Sequence, residues 1–231
     1  DGYMMTTPCV GIDLEKIYHN ALVLVERLSL KGISVTGVTK ATVGDPAIAG
    51  ALIRAGVHSF GDSRIENIEA MQHAGVQNPM SLIRSPMLSQ VDRVVKHCTI
   101  SFNTELEVMR SLSQAAGKAG CMHGVVLMVE LGDLREGVMP CDVETMVQEI
   151  LKLPYLKLMG IGANLACRYG VVPDAANMGE LSALADAVED RFEITLELVS
   201  GGNSANLNWA LASIDLGRIN HLRLGESILL G

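Results

Sequence analysis

Val35-Thr36-Gly37-Val38-Thr39-Lys40, followed within a few residues by Gly44-Asp45-Pro46, decides the fold. An apolar, β-branched run ends on a single lysine, and Asp45-Pro46 is a helix-start signal. A strand that runs into a helix through a short loop is one unit of a parallel α/β fold, and such folds keep their chemistry at the strand ends. A lysine amine desolvated at such a mouth has its charged form disfavoured, and the neutral amine can condense with an aldehyde cofactor. The competing reading of Lys40 is a solvated surface group.

Working outward, β-rich apolar runs fall at 33–38, 58–61, 80–84, 99–102, 124–131, 156–163, 194–199 and 221–224. Between them, stretches such as 46–55, 63–74, 104–119, 142–153 and 174–192 show helical spacing, several opened by start signals such as Asn103-Thr104 and Pro173-Asp174. A further amphipathic helix over about 14–30 precedes the first strand. Eight alternating units predict an α/β protein closed into a (β/α)8 TIM-type barrel, one domain over residues 1–231. A doubly wound open sheet shares the local pattern and is set aside by the count of strands.

Composition fits one ordinary globular domain, with 231 residues, 48% hydrophobic and 19% charged. No long apolar run or basic, apolar leader is visible, so no membrane partner is expected. A net charge of -8 without a basic stripe argues against a nucleic-acid surface. The five cysteines, Cys9, Cys98, Cys121, Cys141 and Cys167, have no metal-ligand spacing and read as reduced thiols of a cytoplasmic protein, with no metal expected. With aromatics at 3%, aliphatic residues and methionine must fill the core, and Trp209 reads as a packing residue.

Near the end of the chain, Ser200-Gly201-Gly202-Asn203-Ser204 reads as a strand breaking into two glycines and two small polar residues, with a helical run over 205–213 behind it. Such a cluster offers backbone N–H groups and a hydroxyl to an anion. The run His221-Leu222-Arg223-Leu224-Gly225-Glu226 is a short strand ending at a glycine. The last two strands are where barrels frequently bind phosphate, although each motif alone is also ordinary turn punctuation.

Taken together with Gly11-Ile12-Asp13-Leu14, His19-Asn20, Asp62-Ser63-Arg64-Ile65-Glu66-Asn67 and Leu131-Gly132-Asp133-Leu134-Arg135-Glu136-Gly137, these motifs resemble the pyridoxal-phosphate amino-acid racemases of the alanine racemase superfamily. The likeness is greatest to the ornithine racemase branch. The resemblance implies a fold-type III barrel with pyridoxal 5'-phosphate held as an imine by Lys40. It implies that Arg223 bonds the ring nitrogen, and that Ser204 and the backbone N–H groups of Gly225 and Glu226, beside Gly202 and Asn203, bind the phosphate. Arg135 would stand near the cofactor's phenolic oxygen and assist catalysis; its alternative is a surface ion pair with Asp133 or Glu136.

The resemblance also implies an isomerase acting on ornithine or another basic amino acid. Gly44 stands where alanine racemases have a phosphate-binding tyrosine, Met128 where they have a lysine that can be carbamylated, and Asn164 where they have a histidine. A cationic substrate tail calls for a carboxylate, for which Asp62, Glu66, Glu130 and Asp133 are candidates.

Members of this branch continue past Leu229-Leu230-Gly231 into a β-rich second domain that is not in this sequence; the expectation is a fragment of a longer protein, since no helix is visible after the eighth strand, and the alternative is a protein that works differently. In the superfamily that domain helps form a homodimer and lends a tyrosine to the second face of the substrate. Cys167 and Tyr169 are the groups of this chain placed to substitute. Two other readings share the barrel: a non-catalytic pyridoxal-phosphate homeostasis protein, and a lyase of the D-threonine aldolase or D-serine dehydratase type.

Overall fold

Side chains that alternate between two buried environments form the frame. In a computed structural model, which describes residues 10–166 and 170–231, eight parallel strands close into a barrel in chain order, with β8 pairing back onto β1. The elements run α1 (Leu14–Ser29), β1 (Ser34–Val38), α2 (Pro46–Arg54), β2 (Ser59–Asp62), α3 (Ile65–His73), β3 (Met80–Leu82), α4 (Val91–His97) and β4 (Ile100–Asn103). They continue with α5 (Leu106–Ala119), β5 (His123–Met128), α6 (Val143–Ile150), β6 (Leu156–Gly162), α7 (Ala175–Phe192), β7 (Leu198–Gly202), α8 (Leu207–Ala212), β8 (His221–Leu224) and α9 (Glu226–Leu229). Short 3-10 turns follow β1, at Lys40–Thr42, and β7, at Ser204–Asn206.

The predicted barrel is therefore the observed one, and two of the three helix-start signals hold; Asn103-Thr104 does not, because Asn103 ends β4 and α5 begins at Leu106 behind Glu105 with no side-chain cap. Asp45 Oδ1 accepts from the N–H groups of Ala47 and Ile48 at 2.8 and 3.1 Å, with Pro46 in the first turn. Asp174 caps α7 in the same way through Ala176 and Asn177. The outward faces of the strands pack on the helices in one large core that includes Leu28, Phe60, Met71, Leu112 and Leu127. Phe102, Val126 and Met128 form a separate small cluster, the apolar part of the barrel interior. Trp209 packs against the large core, as expected of it.

Three further expectations are corrected. A helix does follow the eighth strand: α9, a single turn. The fifth strand stops at Met128 rather than at 131, because Val129 leaves the ladder for a bridge with Val138 and Glu130 organises the next loop. The seventh strand runs through Gly202 instead of ending at 199, and its register against β8 slips between Ser200 and Gly202. The glycines that read as a turn are a β-bulge, which redirects the chain just before Asn203 and Ser204.

Candidate active site

The mouth at the carboxyl ends of the strands holds a cavity of about 560 Å³. Its lining brings together Lys40 after β1, Arg135 and Glu136 after β5, Asn164 after β6, Asn203 and Ser204 after β7, and Arg223, Gly225, Glu226 and Ser227 from β8 onward. All the charged and hydroxyl-bearing residues singled out in the sequence as cofactor contacts meet here.

Lys40 opens the 3-10 turn directly behind β1 and is exposed at this open mouth, so the desolvated amine expected from the sequence is not found. The turn ends on Val43, whose φ of 55° is strained for a β-branched residue, and on Gly44 with φ of 68°. A Cβ on Gly44 would lie 2.8 Å from the Asn67 carbonyl oxygen. Glycine is required there by the backbone, which is why no tyrosine can stand at that position.

Opposite, the cup between β7 and β8 gathers small donors. Ser204 Oγ lies 3.3 Å from the Gly225 nitrogen, 3.1 Å from the Ser227 nitrogen and 3.1 Å from the Ser227 hydroxyl. Beside Gly225, the second backbone N–H aimed at Ser204 is that of Ser227, while the Glu226 N–H opens α9. Ser227 was missed in the sequence; a hydroxyl residue just past a strand-ending glycine was the available signal. Gly225 eases the close approach, since a Cβ there would crowd Val38 at 3.2 Å. Asn203 fixes the cup by donating to Asn164 Oδ1 and the Leu165 carbonyl, both at 2.8 Å, and Gly202, with φ of 146°, faces Asn206 with no room for a side chain.

Arg223 is buried, 5% exposed, and its guanidinium donates to the Ala163 carbonyl at 2.8 Å and to Ser200 Oγ while lying over the Phe102 ring at 4.9 Å. Burial pushes its pKa down to about 10, partly offset by Glu136 and deepened by Arg135. Arg135 Nε is 3.9 Å from Glu136 Oε1, so the ion pair weighed against its role exists, yet both partners line the cavity. Glu136 also accepts from Asn164 Nδ2 at 3.2 Å.

None of the four carboxylates proposed for a substrate tail reaches the cavity. Asp62 is fully buried and accepts from Thr39 Oγ1, the Arg64 N–H and Asn67 Nδ2 within 2.9 Å. Glu130 accepts from the N–H groups of Gly132, Leu134 and Arg135 at 2.6, 2.9 and 3.1 Å, which shapes the loop that presents Arg135 and Glu136. Asp133 is buried in that loop, and Glu66 pairs on the surface with Arg93. The carboxylates that do line the cavity are Glu136 and Glu226. Cys9, Cys167 and Tyr169 lie outside the described residues. Among the described residues Cys98, Cys121 and Cys141 are free thiols, no cluster suits a metal ion, and no helix is long and apolar enough to cross a membrane.

The donor set fits a phosphorylated aldehyde: an amine at one strand end, a cup of hydroxyl and backbone donors at another, and, among the described residues, three cations against two carboxylates in one lining. Fold and site together define a closed (β/α)8 barrel whose mouth gathers a lysine, two arginines and a cup of hydroxyl and backbone donors in one cavity. Comparison with known proteins makes the assignment specific. Residues 12–230 match the family model described as alanine racemase, N-terminal domain, and the chain belongs to that family. It is 36% identical over 228 residues to a lysine racemase of Thermotoga maritima and 36% identical over 229 residues to an ornithine racemase of Acetoanaerobium sticklandii. These alignments take in 98% and 97% of the chain, which spans 63% of the length of each of these curated relatives. An alanine racemase structure from Clostridium difficile 630 superposes with a TM-score of 0.80 at 19% identity, over 94% of this chain and 57% of the other.

Proposed function

We propose that this barrel belongs to a pyridoxal-phosphate-dependent isomerase that interconverts the L and D forms of a basic amino acid, ornithine or lysine. The observation that carries the reading is the convergence of Lys40, Arg223 and the Ser204 cup on one cavity, in a chain similar to racemases for those two amino acids. Pyridoxal phosphate, when bound, supplies an aldehyde that condenses with amines and a ring that draws electron density from the attached Cα.

Lys40 would anchor it and, once released by the substrate amine, take and return the proton at Cα. Ser204, Ser227 and the N–H groups of Gly225 and Glu226 would hold the phosphate. Arg223 would face the ring nitrogen. A guanidinium only donates, so that nitrogen would accept and stay unprotonated, which favours plain proton removal and return over deeper electron withdrawal. Arg135 would place positive charge beside the ring oxygen. Glu136 and Glu226 are the carboxylates available to a cationic substrate tail.

A racemase needs an acid–base group on each face of Cα. Among the described residues the cavity lining offers no tyrosine, histidine or cysteine for the second face. We propose that a second polypeptide surface covering the mouth, in a homodimer, supplies that group; the alternatives within this chain are Cys167 and Tyr169, which lie outside the described residues. The rim supports this reading: Val43, Met87, Leu88, Leu134, Met139, Val172 and Leu230, all on loops following strands or on the turn after β8, are exposed apolar side chains.

A racemisation assay with L- and D-ornithine, lysine and alanine, with and without added divalent metal, tests the reading against a metal-using lyase and a non-catalytic carrier. Borohydride reduction with pyridoxal phosphate should fix the cofactor on the Lys40 peptide, and Lys40→Ala should lose both the adduct and turnover. An adduct on another lysine would overturn the assignment.

A further inference from the structure

Behind Arg223 lies a row of buried polar groups that the proposed function does not use. Ser200 Oγ is bonded to Arg223 and stands 2.7 Å from His221 Nδ1. His221 Nε2 is 2.8 Å from Thr36 Oγ1, which is 2.8 Å from Ser59 Oγ. The row runs from the floor of the mouth to a small cavity of about 130 Å³ deeper in the barrel, lined by Thr36, Ser59, Ser81 and His221 together with apolar side chains.

Its direction follows from elementary donor chemistry. A guanidinium has five N–H donors and no acceptor, so Ser200 Oγ accepts from Arg223. The Ser200 hydroxyl keeps one proton, and among the described residues His221 Nδ1 is the acceptor within its reach; a proton on Nδ1 would leave that hydroxyl proton without a partner. An imidazole with a bare Nδ1 is neutral when its proton is on Nε2, and that N–H donates to Thr36 Oγ1. The Thr36 proton is left for Ser59. The guanidinium fixes the sense of the first link, and giving every hydroxyl proton an acceptor fixes the others.

We propose that Ser200 and His221 are positioning residues for Arg223, joined to Thr36 and Ser59 in a one-way hydrogen-bond chain that holds His221 as the neutral Nε2–H tautomer and the guanidinium in one orientation at the cavity floor. Surroundings agree with a neutral ring. Burial, with Arg223 adding to it, pushes the His221 pKa down to about 3, and a proton on Nδ1 would leave the Ser200 hydroxyl proton without an acceptor. The other charged groups acting on Arg223 are Glu136, which favours its charge, and Arg135, which opposes it. The bulge at Gly201 belongs to the same device, because the register slip there leaves Ser200 level with His221 just where β7 departs from β8. The functional weight of the proposal rests on the reading that Arg223 meets the cofactor ring; its structural content does not.

The test is nitrogen-15 spectroscopy of the side chains in the cofactor-free chain. His221 is assigned from its loss in His221→Gln and, independently of that variant's folding, from contacts of the ring with the Thr36 methyl group. The expected spectrum has Nδ1 unprotonated and Nε2 protonated throughout about pH 5 to 8, where a free imidazole would titrate. The Arg223 Nε–H should give a sharp, slowly exchanging signal. Ser200→Ala should broaden that signal and release the fixed tautomer, and Ser200→Thr, which keeps the hydroxyl, should restore both. With pyridoxal phosphate added, Ser200→Ala should weaken binding about tenfold and shift the cofactor's absorption band, again with recovery in Ser200→Thr. A proton on Nδ1, titration near pH 6, or an Arg223 signal indifferent to Ser200→Ala would overturn the proposal. Failure of the wild-type chain to bind pyridoxal phosphate would instead strike the functional reading and leave the spectroscopic result to decide this one.

Discussion

Acid should unfold this barrel earlier than its surface charges would suggest, and two histidines set the amount. Burial pushes His221 down to about 3, with Arg223 adding, and pushes His123 down to about 4. In the unfolded chain each ring titrates near its ordinary value of about 6.5. Below that pH the unfolded chain binds two protons that the folded chain refuses. Stability is therefore complete above about pH 6.5 and falls as the pH drops toward the folded values. Each histidine removes about 1.4 kcal/mol per pH unit, so from pH 7 to pH 5 the pair removes about 4 kcal/mol. Domains are stable by about 5–15 kcal/mol, so this is a large share. His97, lowered by burial against the pull of Glu69, acts in the same direction. Glu69, which Arg93 holds low by a hydrogen bond, begins to protonate only below this window. Urea unfolding at pH 7 and pH 5, followed by far-ultraviolet circular dichroism, should show the midpoint falling with an unchanged slope on denaturant. His123→Gln should roughly halve the pH dependence. Equal stability at the two pH values, or a His123→Gln protein with the full dependence, would refute the argument.

Glu130→Gln keeps one oxygen of the three-way acceptor and turns an amide N–H toward the Arg135 N–H, so it should lower stability by about 2 kcal/mol and expose the 130–137 loop to limited proteolysis; unchanged cleavage and unfolding would count against the loop's dependence on that carboxylate. Gly44→Tyr, which restores the residue of the alanine racemases, should destabilise by about 2 kcal/mol without tightening pyridoxal phosphate binding, because the left-handed backbone and the Asn67 carbonyl exclude a Cβ; calorimetry and a cofactor titration read both.

The fold was legible because closure is a counting problem and every strand left its own apolar run, with β8 read to the residue at 221–224. Strand ends were less legible where backbone geometry, not hydrophobicity, decides them. Gly201 and Gly202 carry no side chain that could announce a bulge, so the apolar run predicts a β7 that starts four residues and ends three residues too early, and Glu130 looks the same in sequence whether its carboxylate faces solvent or caps a loop. The same distinction divides the site. Lys40, Ser204 and Arg223 were legible because each occupies a fixed offset from a strand end, where the barrel leaves little choice of direction. The carboxylates were not: Asp62 and Glu130 turn back onto the N–H groups of their own loops, whereas Glu136 is held at the cavity by Asn164 from the next strand end. Hydrogen bonds local in sequence can be guessed from a motif, but a pairing across 28 residues appears only once the strands are laid side by side. That is also why the Ser200–His221 pair escaped notice. Each residue alone reads as ordinary strand filling, and only the pairing of β7 with β8 puts a hydroxyl between an imidazole and a guanidinium.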